Sequence, residues 1–250
     1  AWKEGRIKDI KTDVDAMYVI LPFEKDFYQD KHNFPVHFVG HPLIDAINNR
    51  EKTTTEAFAA VHGLDQRPII ALLPGSRKQE ISKMLRIMLT ITKDFENYQF
   101  VIAGAPSQQA SFYAPFLNKQ NVHLLLNKTY DLLTVSHAAL VTSGTATLET
   151  ALFKVPQVVC YKGNAISVAI ARQVVKLKYI SLVNLILDKE VVTELIQGDF
   201  NTQRLSKELN KILDKDNRAS LLKSYGVLEQ KLGGIGASDT TGQLIVDAVR

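Results

Sequence analysis

The sequence has few of the residues that mark several protein classes. It contains 1 cysteine among 250 residues, which excludes an internal disulfide and favours a reducing compartment. That residue, Cys160, lies in the apolar run QVVCY, and we interpret it as a buried strand residue in preference to a reactive thiol. There is no run of about 18 apolar residues, so the sequence predicts no membrane-spanning helix.

Charge and motif patterns exclude further classes. The 30 basic and 26 acidic residues give a net charge of +4 and are spread without a long basic run, so no nucleic-acid surface is predicted. The 6 histidines lack metal-ligand spacing, and we expect no metal and no other cofactor. Neither Gly75 nor Gly144 begins a Walker A motif, which disfavours a nucleotide triphosphatase.

Strand and helix patterns alternate along most of the chain. Strands are predicted at 15–21, 36–39, 69–73, 100–104, 122–126, 139–142 and 157–161. Helices are predicted at 77–95, 107–118, 129–137, 145–153 and 164–177, and again at 190–197, 202–214, 217–231 and 238–249. The predicted fold class is α/β, a Rossmann-like parallel sheet with helices on both faces, followed by a C-terminal helical appendix.

Composition shifts suggest three segments. Gly40, Pro42 and the polar stretch 48–55 mark a boundary, so residues 1–40 are predicted to be the tail of a preceding domain. Residues 41–190 form a Rossmann-like domain in this interpretation, and 191–250 a helical extension. Because the first residues resemble the middle of an amphipathic helix, we expect the chain to be part of a longer protein.

The first candidate binding feature is the turn ALLPGSR at 71–77. Gly75 permits a tight backbone, Ser76 can cap the following helix, and Arg77 enters its first turn. A cation at a helix N-terminus is unfavourable by roughly 0.3–1 kcal/mol and favours a compensating anion such as phosphate. The alternative is a surface ion pair of Arg77 with Glu80 or Glu56.

The second feature is the turn LVTSGTATLE at 140–149. Its small residues expose backbone N–H groups and hydroxyls, and they are Ser143, Gly144, Thr145 and Ala146. Glu149 follows one helical turn later, where a carboxylate can accept hydrogen bonds from ribose hydroxyls. The alternative is that Thr145 caps the helix and Glu149 only complements its dipole. We predict that both turns meet in one pocket for a nucleotide's diphosphate.

Six segments in unbroken order give the sequence a specific resemblance. They are WKEGR at 2–6, LPFEKDFY at 21–28, FVGHPLIDAI at 38–47, LLPGSRKQEI at 72–81, SGTATLETAL at 143–152 and YISLVNLI at 179–186. Together they resemble bacterial lipid-A-disaccharide synthase, a GT-B type glycosyltransferase built from two Rossmann-like domains. The resemblance implies that this chain carries mainly the C-terminal, donor-nucleotide domain, with the N-terminal acceptor domain largely missing.

The resemblance also implies a reaction. An inverting transfer would move 2,3-diacylglucosamine from its UDP derivative to 2,3-diacylglucosamine 1-phosphate, giving lipid A disaccharide 1-phosphate and UDP. The partners would be these acylated glucosamines and a membrane surface, with the protein cytoplasmic and peripheral on the inner face of the bacterial inner membrane. The same donor pocket would also serve another UDP-sugar GT-B enzyme, such as a UDP-GlcNAc 2-epimerase, or a non-catalytic UDP-sugar binding module.

The family's site residues carry over onto matching positions. Arg77 would stabilise the leaving diphosphate, with Gly75 and Ser76 beside it. Ser143, Gly144, Thr145 and Ala146 would bind the diphosphate oxygens, and Glu149 would hold the ribose. Asn184 would lie near the donor sugar or phosphate, although Val183 replaces the proline common before it. The family's catalytic base belongs to the missing domain.

Two further positions stay open. His41 in GHPLID resembles the family's interdomain segment, and it either approaches the cleft or caps or packs against a helix. The apolar and basic residues of 164–177 suggest a lipid-facing helix, but packing in the core is favoured over that role.

Overall fold

The computed structural model describes residues 4–51, 53–163 and 178–250. The chain divides into two compact units, one of Ala1–Arg50 with Gly226–Arg250 and one of Glu51–Tyr225. These bounds differ from the predicted segments at 1–40, 41–190 and 191–250, because most of the last segment groups with the sheet. The predicted helix at 164–177 lies outside the described residues.

The elements follow one another along the described chain in a mixed α/β order. The helices are α1 (Arg6–Asp13), α2 (Pro22–Lys25), α3 (Pro42–Asn48), α4 (Thr55–His62), α5 (Lys78–Met88), α6 (Ala110–Tyr113), α7 (Thr129–Val135), α8 (Thr145–Leu152), α9 (Leu182–Leu187), α10 (Thr202–Leu213), α11 (Lys215–Lys231) and α12 (Ala237–Ala248). The strands are β1 (Tyr18–Val19), β2 (His37–Phe38), β3 (Ile69–Leu73), β4 (Gln99–Gly104), β5 (Val122–Leu126), β6 (Ser136–Thr142), β7 (Gln157–Tyr161) and β8 (Glu194–Ile196). Short π and 3₁₀ helices occupy Asp26–Lys31, Leu89–Asp94 and Ala114–Phe116.

The unit Glu51–Tyr225 is built on a parallel sheet with the strand order β5-β4-β3-β6-β7-β8. Counted from its own first strand, this is the 3-2-1-4-5-6 order of a doubly wound nucleotide-binding fold. Every residue of β3 and β4 is buried, as expected for central strands covered on both faces. The parallel sheet predicted from the sequence is therefore confirmed.

Helices cover both faces of this sheet. Ile70 and Leu72 of β3 pack with residues of α5 and α10, such as Leu85 and Leu209. The alternate residues of β3 face the other way and pack with residues of α4 and α7, such as Phe58. Because α10 lies within the core of the sheet, it is an integral helix of this unit and the predicted appendix does not include it.

Two local predictions are wrong. Residues 190–197 were expected to form a helix, but the chain forms β8 there and pairs Val159 with Glu194. The pairing along β7 supplies hydrogen bonds that the short segment cannot make alone, so tertiary structure overrides local propensity. Helix α4 was not predicted because its polar surroundings suggested a linker.

The other unit contains the parallel pair β1 and β2 and the helices α1 to α3 and α12. His41 is buried and precedes α3, where its Nδ1 accepts a hydrogen bond from the Leu43 N–H at 3.2 Å. Asp45 accepts hydrogen bonds from Gly236 N at 2.7 Å and Ser238 N at 2.9 Å, which lowers the pKa of its carboxyl. His41 is thus a helix-capping residue, which is one of the two alternatives the sequence left open.

Candidate functional site

The carboxyl ends of β3 and β6 lie side by side at the centre of the six-stranded sheet. Leu73 pairs with Val141, although about 70 residues separate the two strands in the sequence. The chain runs outward from β3 through β4 to β5, then returns to β6 and continues to β8 on the other side. This reversal of winding is a topological switch point, where open α/β sheets bind ligands.

A cleft of about 350 Å³ opens at this switch point. Both predicted turns line it, and the residues they contribute are Gly75, Ser76, Ser143, Gly144, Thr145, Ala146 and Glu149. The loop after β4 and the start of α7 add Ala105, Pro106 and Thr129 to the lining, which the sequence analysis did not identify. The structure therefore brings together all but two of the predicted binding residues.

The shape of the first turn depends on the backbone conformation of Gly75. Gly75 has a φ of +102°, which favours glycine, and the turn leads directly into α5. Arg77 is the residue before that helix, and it makes no side-chain cap; the predicted cap by Ser76 is not formed either. Ser76 instead accepts a hydrogen bond at its carbonyl from Ser107 Oγ at 3.1 Å, which ties the turn to the loop after β4.

Arg77 lies beside the cleft without lining it. Its side chain is exposed, and no ion pair joins it to Glu80 or Glu56 among the described residues. The surface ion pair considered from the sequence is therefore not formed. Arg77 follows directly after Ser76, which does line the cleft.

The second turn ends at a helix start that receives no cap hydrogen bond from a side chain in the described part of the chain. Gly144 precedes α8 with a φ of +153°, and nothing lies within 4 Å of the position that a Cβ would take. Thr145 does not cap α8, because it is the first residue of the helix and the capping position before it is Gly144. The positive ends of α5 and α8, two helices of 11 and 8 residues, therefore lie at one cleft, and such ends attract anions.

Two hydroxyls in this region have different surroundings. Ser143 Oγ donates a hydrogen bond to the Ile180 carbonyl at 2.9 Å, and its backbone N–H donates to the Cys160 carbonyl at 3.2 Å, so both of its donors have partners within the protein. Thr142, the last residue of β6, lines the cleft and is buried, yet its Oγ1 has no hydrogen-bond partner among the described residues. A buried hydroxyl without a partner is costly unless a ligand or water satisfies it.

Glu149 is held in place by a residue that the sequence did not mark. Tyr130 Oη donates a hydrogen bond to Glu149 Oε1 at 2.7 Å. Tyr130 belongs to α7, whereas Glu149 lies on α8, and the tyrosine ring also packs against Phe153 at 5.2 Å between ring centroids. The carboxylate is thereby oriented beside the cleft with a second oxygen, Oε2, outside this hydrogen bond.

Asn184 has partners other than the donor sugar or phosphate predicted for it. Its side chain is fully buried, and its Oδ1 accepts hydrogen bonds from the N–H groups of Val191 at 2.8 Å and Val192 at 3.0 Å. Its Nδ2 donates to the Val192 carbonyl and to Glu194 Oε1, both at 2.9 Å. It does not line the cleft, and it joins α9 to β8.

The described residues contain no group of three His, Cys, Asp or Glu side chains suited to hold a metal. In the same part of the chain, no helix combines the length and apolar character needed to cross a membrane. Cys160 is fully buried in β7, and burial raises the pKa of its thiol far above the ordinary value. The interpretation of Cys160 as a buried strand residue is confirmed.

The strand order and the cleft at the switch point define a Rossmann-like domain of the GT-B class. UDP-GlcNAc 2-epimerase from Neisseria meningitidis, solved with UDP-GlcNAc bound, shares this fold with a TM-score of 0.58 at 16% identity, covering 92% of this chain and 61% of its own. The calicheamicin glycosyltransferase CalG4 shares it with a TM-score of 0.55 at 13% identity, covering 96% of this chain and 55% of its own.

Sequence comparison identifies the family. The family model for lipid-A-disaccharide synthetase matches residues 1–237, and the chain belongs to this family. The lipid-A-disaccharide synthase of Syntrophus aciditrophicus (strain SB) is 36% identical over 259 residues, which cover 100% of this chain and 67% of that protein. A relative from Coxiella burnetii (strain CbuG_Q212) is likewise 36% identical and is covered over 66% of its length, so the chain spans about two thirds of such relatives.

Proposed function

We propose that this chain provides the donor-nucleotide half of a lipid-A-disaccharide synthase. The reaction is the inverting transfer of 2,3-diacylglucosamine from its UDP derivative to 2,3-diacylglucosamine 1-phosphate, which forms lipid A disaccharide 1-phosphate and UDP. The observation that carries this proposal is the convergence of two helix starts on one cleft at the switch point of the sheet. Membership of the lipid-A-disaccharide synthetase family supports the choice of reaction.

The UDP diphosphate binds between the two turns in this proposal. The N–H groups at the starts of α5 and α8 donate hydrogen bonds to its oxygens, and the buried Thr142 Oγ1 gains the partner that it lacks. Arg77, next in the chain to the cleft residue Ser76, turns its side chain toward the ligand and stabilises the negative charge that develops on the leaving diphosphate. This use of fixed dipoles and a cation lets the reaction proceed without a metal.

The ribose binds at Glu149. The hydrogen bond from Tyr130 fixes the carboxylate, so that its free oxygen accepts hydrogen bonds from the ribose hydroxyls without first losing rotamer freedom. Asn184 does not contact the ligand in this proposal, because its side chain is hydrogen-bonded to β8 and the segment that leads into it. Ser143 is linked to that segment through the Ile180 carbonyl.

The catalytic base and most of the acceptor site are proposed to lie outside this chain. The acyl chains of both substrates place the reaction at a lipid surface, so we propose a peripheral protein on the inner face of the bacterial inner membrane. The likeness to UDP-GlcNAc 2-epimerase is one of fold, and the family assignment favours transfer over epimerisation.

Calorimetry with UDP and with inorganic pyrophosphate tests the binding site. We expect Glu149→Ala to weaken UDP binding by roughly tenfold or more while leaving pyrophosphate binding unchanged, because only the ribose contact is lost. Arg77→Ala should weaken both ligands by a similar factor. Equal UDP affinity in both variants and in the unaltered chain would contradict the site.

The reaction itself is tested with the complete gene product that contains this chain. The protein is incubated with the UDP-linked donor and the 1-phosphate acceptor, and the products are identified by mass spectrometry. Disaccharide and UDP in equal amounts are expected. Epimerised donor without disaccharide would indicate an epimerase instead of a transferase. Binding of the donor without any product would indicate a non-catalytic binding module.

A further inference from the structure

The carboxylate of Glu80 lies on the turn that is proposed to bind phosphate. Glu80 lines the cleft, and its Oε2 is 3.4 Å from the Ser76 N–H nitrogen. A Cβ placed on Gly75 would lie 2.3 Å from the same oxygen and 2.6 Å from the carboxyl carbon. The negative group of Glu80 is therefore in direct contact with the backbone of this turn.

The position of Glu80 in α5 explains why its carboxylate lies there. It is the third residue of the helix and belongs to its first turn. A carboxylate at that point is favoured by the helix dipole and can accept hydrogen bonds from N–H groups before the helix, as Glu80 does from Ser76. These are the same interactions that a phosphate would use, so the side chain and the ligand compete for one place.

The two glutamates of the cleft differ in how they are held. Glu149 accepts a hydrogen bond from Tyr130 at 2.7 Å, whereas the contact of Glu80 with Ser76 N is long at 3.4 Å. A diphosphate bound beside an ionised Glu80 would be strongly repelled, because two like charges about 4 Å apart interact strongly near a protein surface. Glu80 must therefore move away when a diphosphate enters.

We propose that Glu80 is an internal competitor for the phosphate position and lowers the affinity of the cleft for phosphate-bearing ligands. This inference rests on the proposed function of the cleft. Its carboxylate occupies the first turn in the absence of nucleotide and is displaced by the incoming diphosphate. A ligand whose phosphate needs this place must outweigh the displacement, which lowers its affinity, and the returning carboxylate promotes release of UDP.

The test compares Glu80→Gln with Glu96→Gln in the same chain. Both variants replace one exposed or partly exposed glutamate by its uncharged isostere, but Glu96 lies just before β4, at the opposite end of the sheet from the cleft. Affinities for UDP, UMP and uridine are measured by calorimetry, and thermal unfolding is followed to show that each variant is folded. Glu80→Ala is measured as a second variant that removes the side chain from the turn.

We expect Glu80→Gln and Glu80→Ala to bind UDP and UMP about threefold to tenfold more tightly than the unaltered chain, with a faster approach to binding and slower release. Their affinity for uridine should not change, because uridine has no phosphate with which to displace the carboxylate. Glu96→Gln should match the unaltered chain for all ligands.

Two different failures are distinguishable. If the unaltered chain binds UDP and the Glu80 variants bind it equally or more weakly, Glu80 is not a competitor and this inference is wrong while the cleft stands. If neither the unaltered chain nor any variant binds UDP, the proposed function of the cleft fails and the inference fails with it.

Discussion

Gly75 is subject to two constraints that a residue with a side chain cannot meet together. Its φ of +102° is strained for any L residue with a Cβ, and that Cβ would lie 2.3 Å from the carboxylate of Glu80. The glycine therefore permits both the turn and the close approach of an anion to its backbone. A phosphate entering the turn would use the same opening.

Replacing Gly75 with alanine should change both stability and ligand binding. We expect the free energy of unfolding to fall by about 1–3 kcal/mol and UDP binding to weaken at least several-fold, because the turn must shift. Chemical denaturation and calorimetry measure the two effects.

Gly63→Ala is the matched control for this substitution. Gly63 also has a positive φ, of +64°, but nothing lies within 4 Å of the position of its Cβ. It should lose about 1 kcal/mol of stability and keep its UDP affinity. If the two variants behave alike in both measurements, the first turn has no special role.

Individual site residues differ in how far the sequence reveals them. Turn residues such as Gly75 and Gly144 could be identified from the sequence, because the residue types that form a turn are adjacent in the chain. Glu80 and Tyr130 were not identified as part of the cleft, since a side chain folding back or reaching across from another helix leaves no local pattern. Thr142 was missed for a similar reason, although its place at the end of an apolar strand is a usable signal.

At the scale of elements, Glu194 and Asn184 join α9 to β8. Glu194 accepts hydrogen bonds from Ile180 N and Ser181 N at 2.9 Å and from Ser181 Oγ at 2.7 Å, in addition to that from Asn184. The network fixes the Ile180 carbonyl, to which Ser143 donates. An asparagine carried over from the family as a ligand contact thus has a full set of structural partners here.

The substitution Asn184→Ala should act mainly on stability. It leaves the N–H groups of Val191 and Val192 without their acceptor, and we expect a loss of about 2–4 kcal/mol in the free energy of unfolding. UDP affinity, measured where the variant is folded, should change less than about threefold.

Asn210→Ala serves as the control for Asn184→Ala. Its exposed amide donates to the Ser206 carbonyl one helical turn away, so its removal should cost well under about 1 kcal/mol. If Asn184→Ala keeps its stability but loses UDP binding, the direct ligand contact predicted from the sequence would be right.

Element prediction succeeded where the pattern is local and strong. The bounds of β3, β5 and β7 match the predicted strands, because long apolar runs bounded by polar residues leave few alternatives. The prediction was wrong at β8, because its three residues form a strand only through pairing with β7. Helix α4 could have been predicted from the sequence, because Thr54 caps its start and Gly63 ends it with a positive φ.

At the scale of the whole molecule, one buried and two half-buried histidines link folding to pH. Burial lowers the pKa of His41, His123 and His137, and the cation of Arg218 lowers that of His137 further. In the unfolded chain these side chains take up protons as the pH falls through about 6.5, whereas in the folded chain they resist protonation. The unfolded state therefore binds more protons, and stability is lost as the pH falls.

We expect the midpoint of thermal unfolding to be lower at a pH of about 5.5 than at about 7.5. Asp45 and Asp65 do not contribute in this range, because their pKa values are lowered and both remain ionised. Scanning calorimetry at a fixed ionic strength measures the change. An equal or higher midpoint at the lower pH would contradict it.

The domain division could not be read from the sequence, although the fold class could. Alternating strand and helix patterns predict a parallel sheet, but they do not state which strands are neighbours. The switch point between β3 and β6, and with it the meeting of the two turns, follows from strand order alone. The sequence suggested that meeting only through the shared preference of both turns for an anion.

A crystal structure of the chain with UDP bound tests the central claim most directly. We predict that the diphosphate lies between the turns at Ser76 and Gly144, with oxygens within about 3 Å of N–H groups at the starts of both α5 and α8. Glu80 should have left the turn in that structure, and the ribose should contact Glu149. A diphosphate bound elsewhere, or held by one turn only, would contradict the account of this cleft.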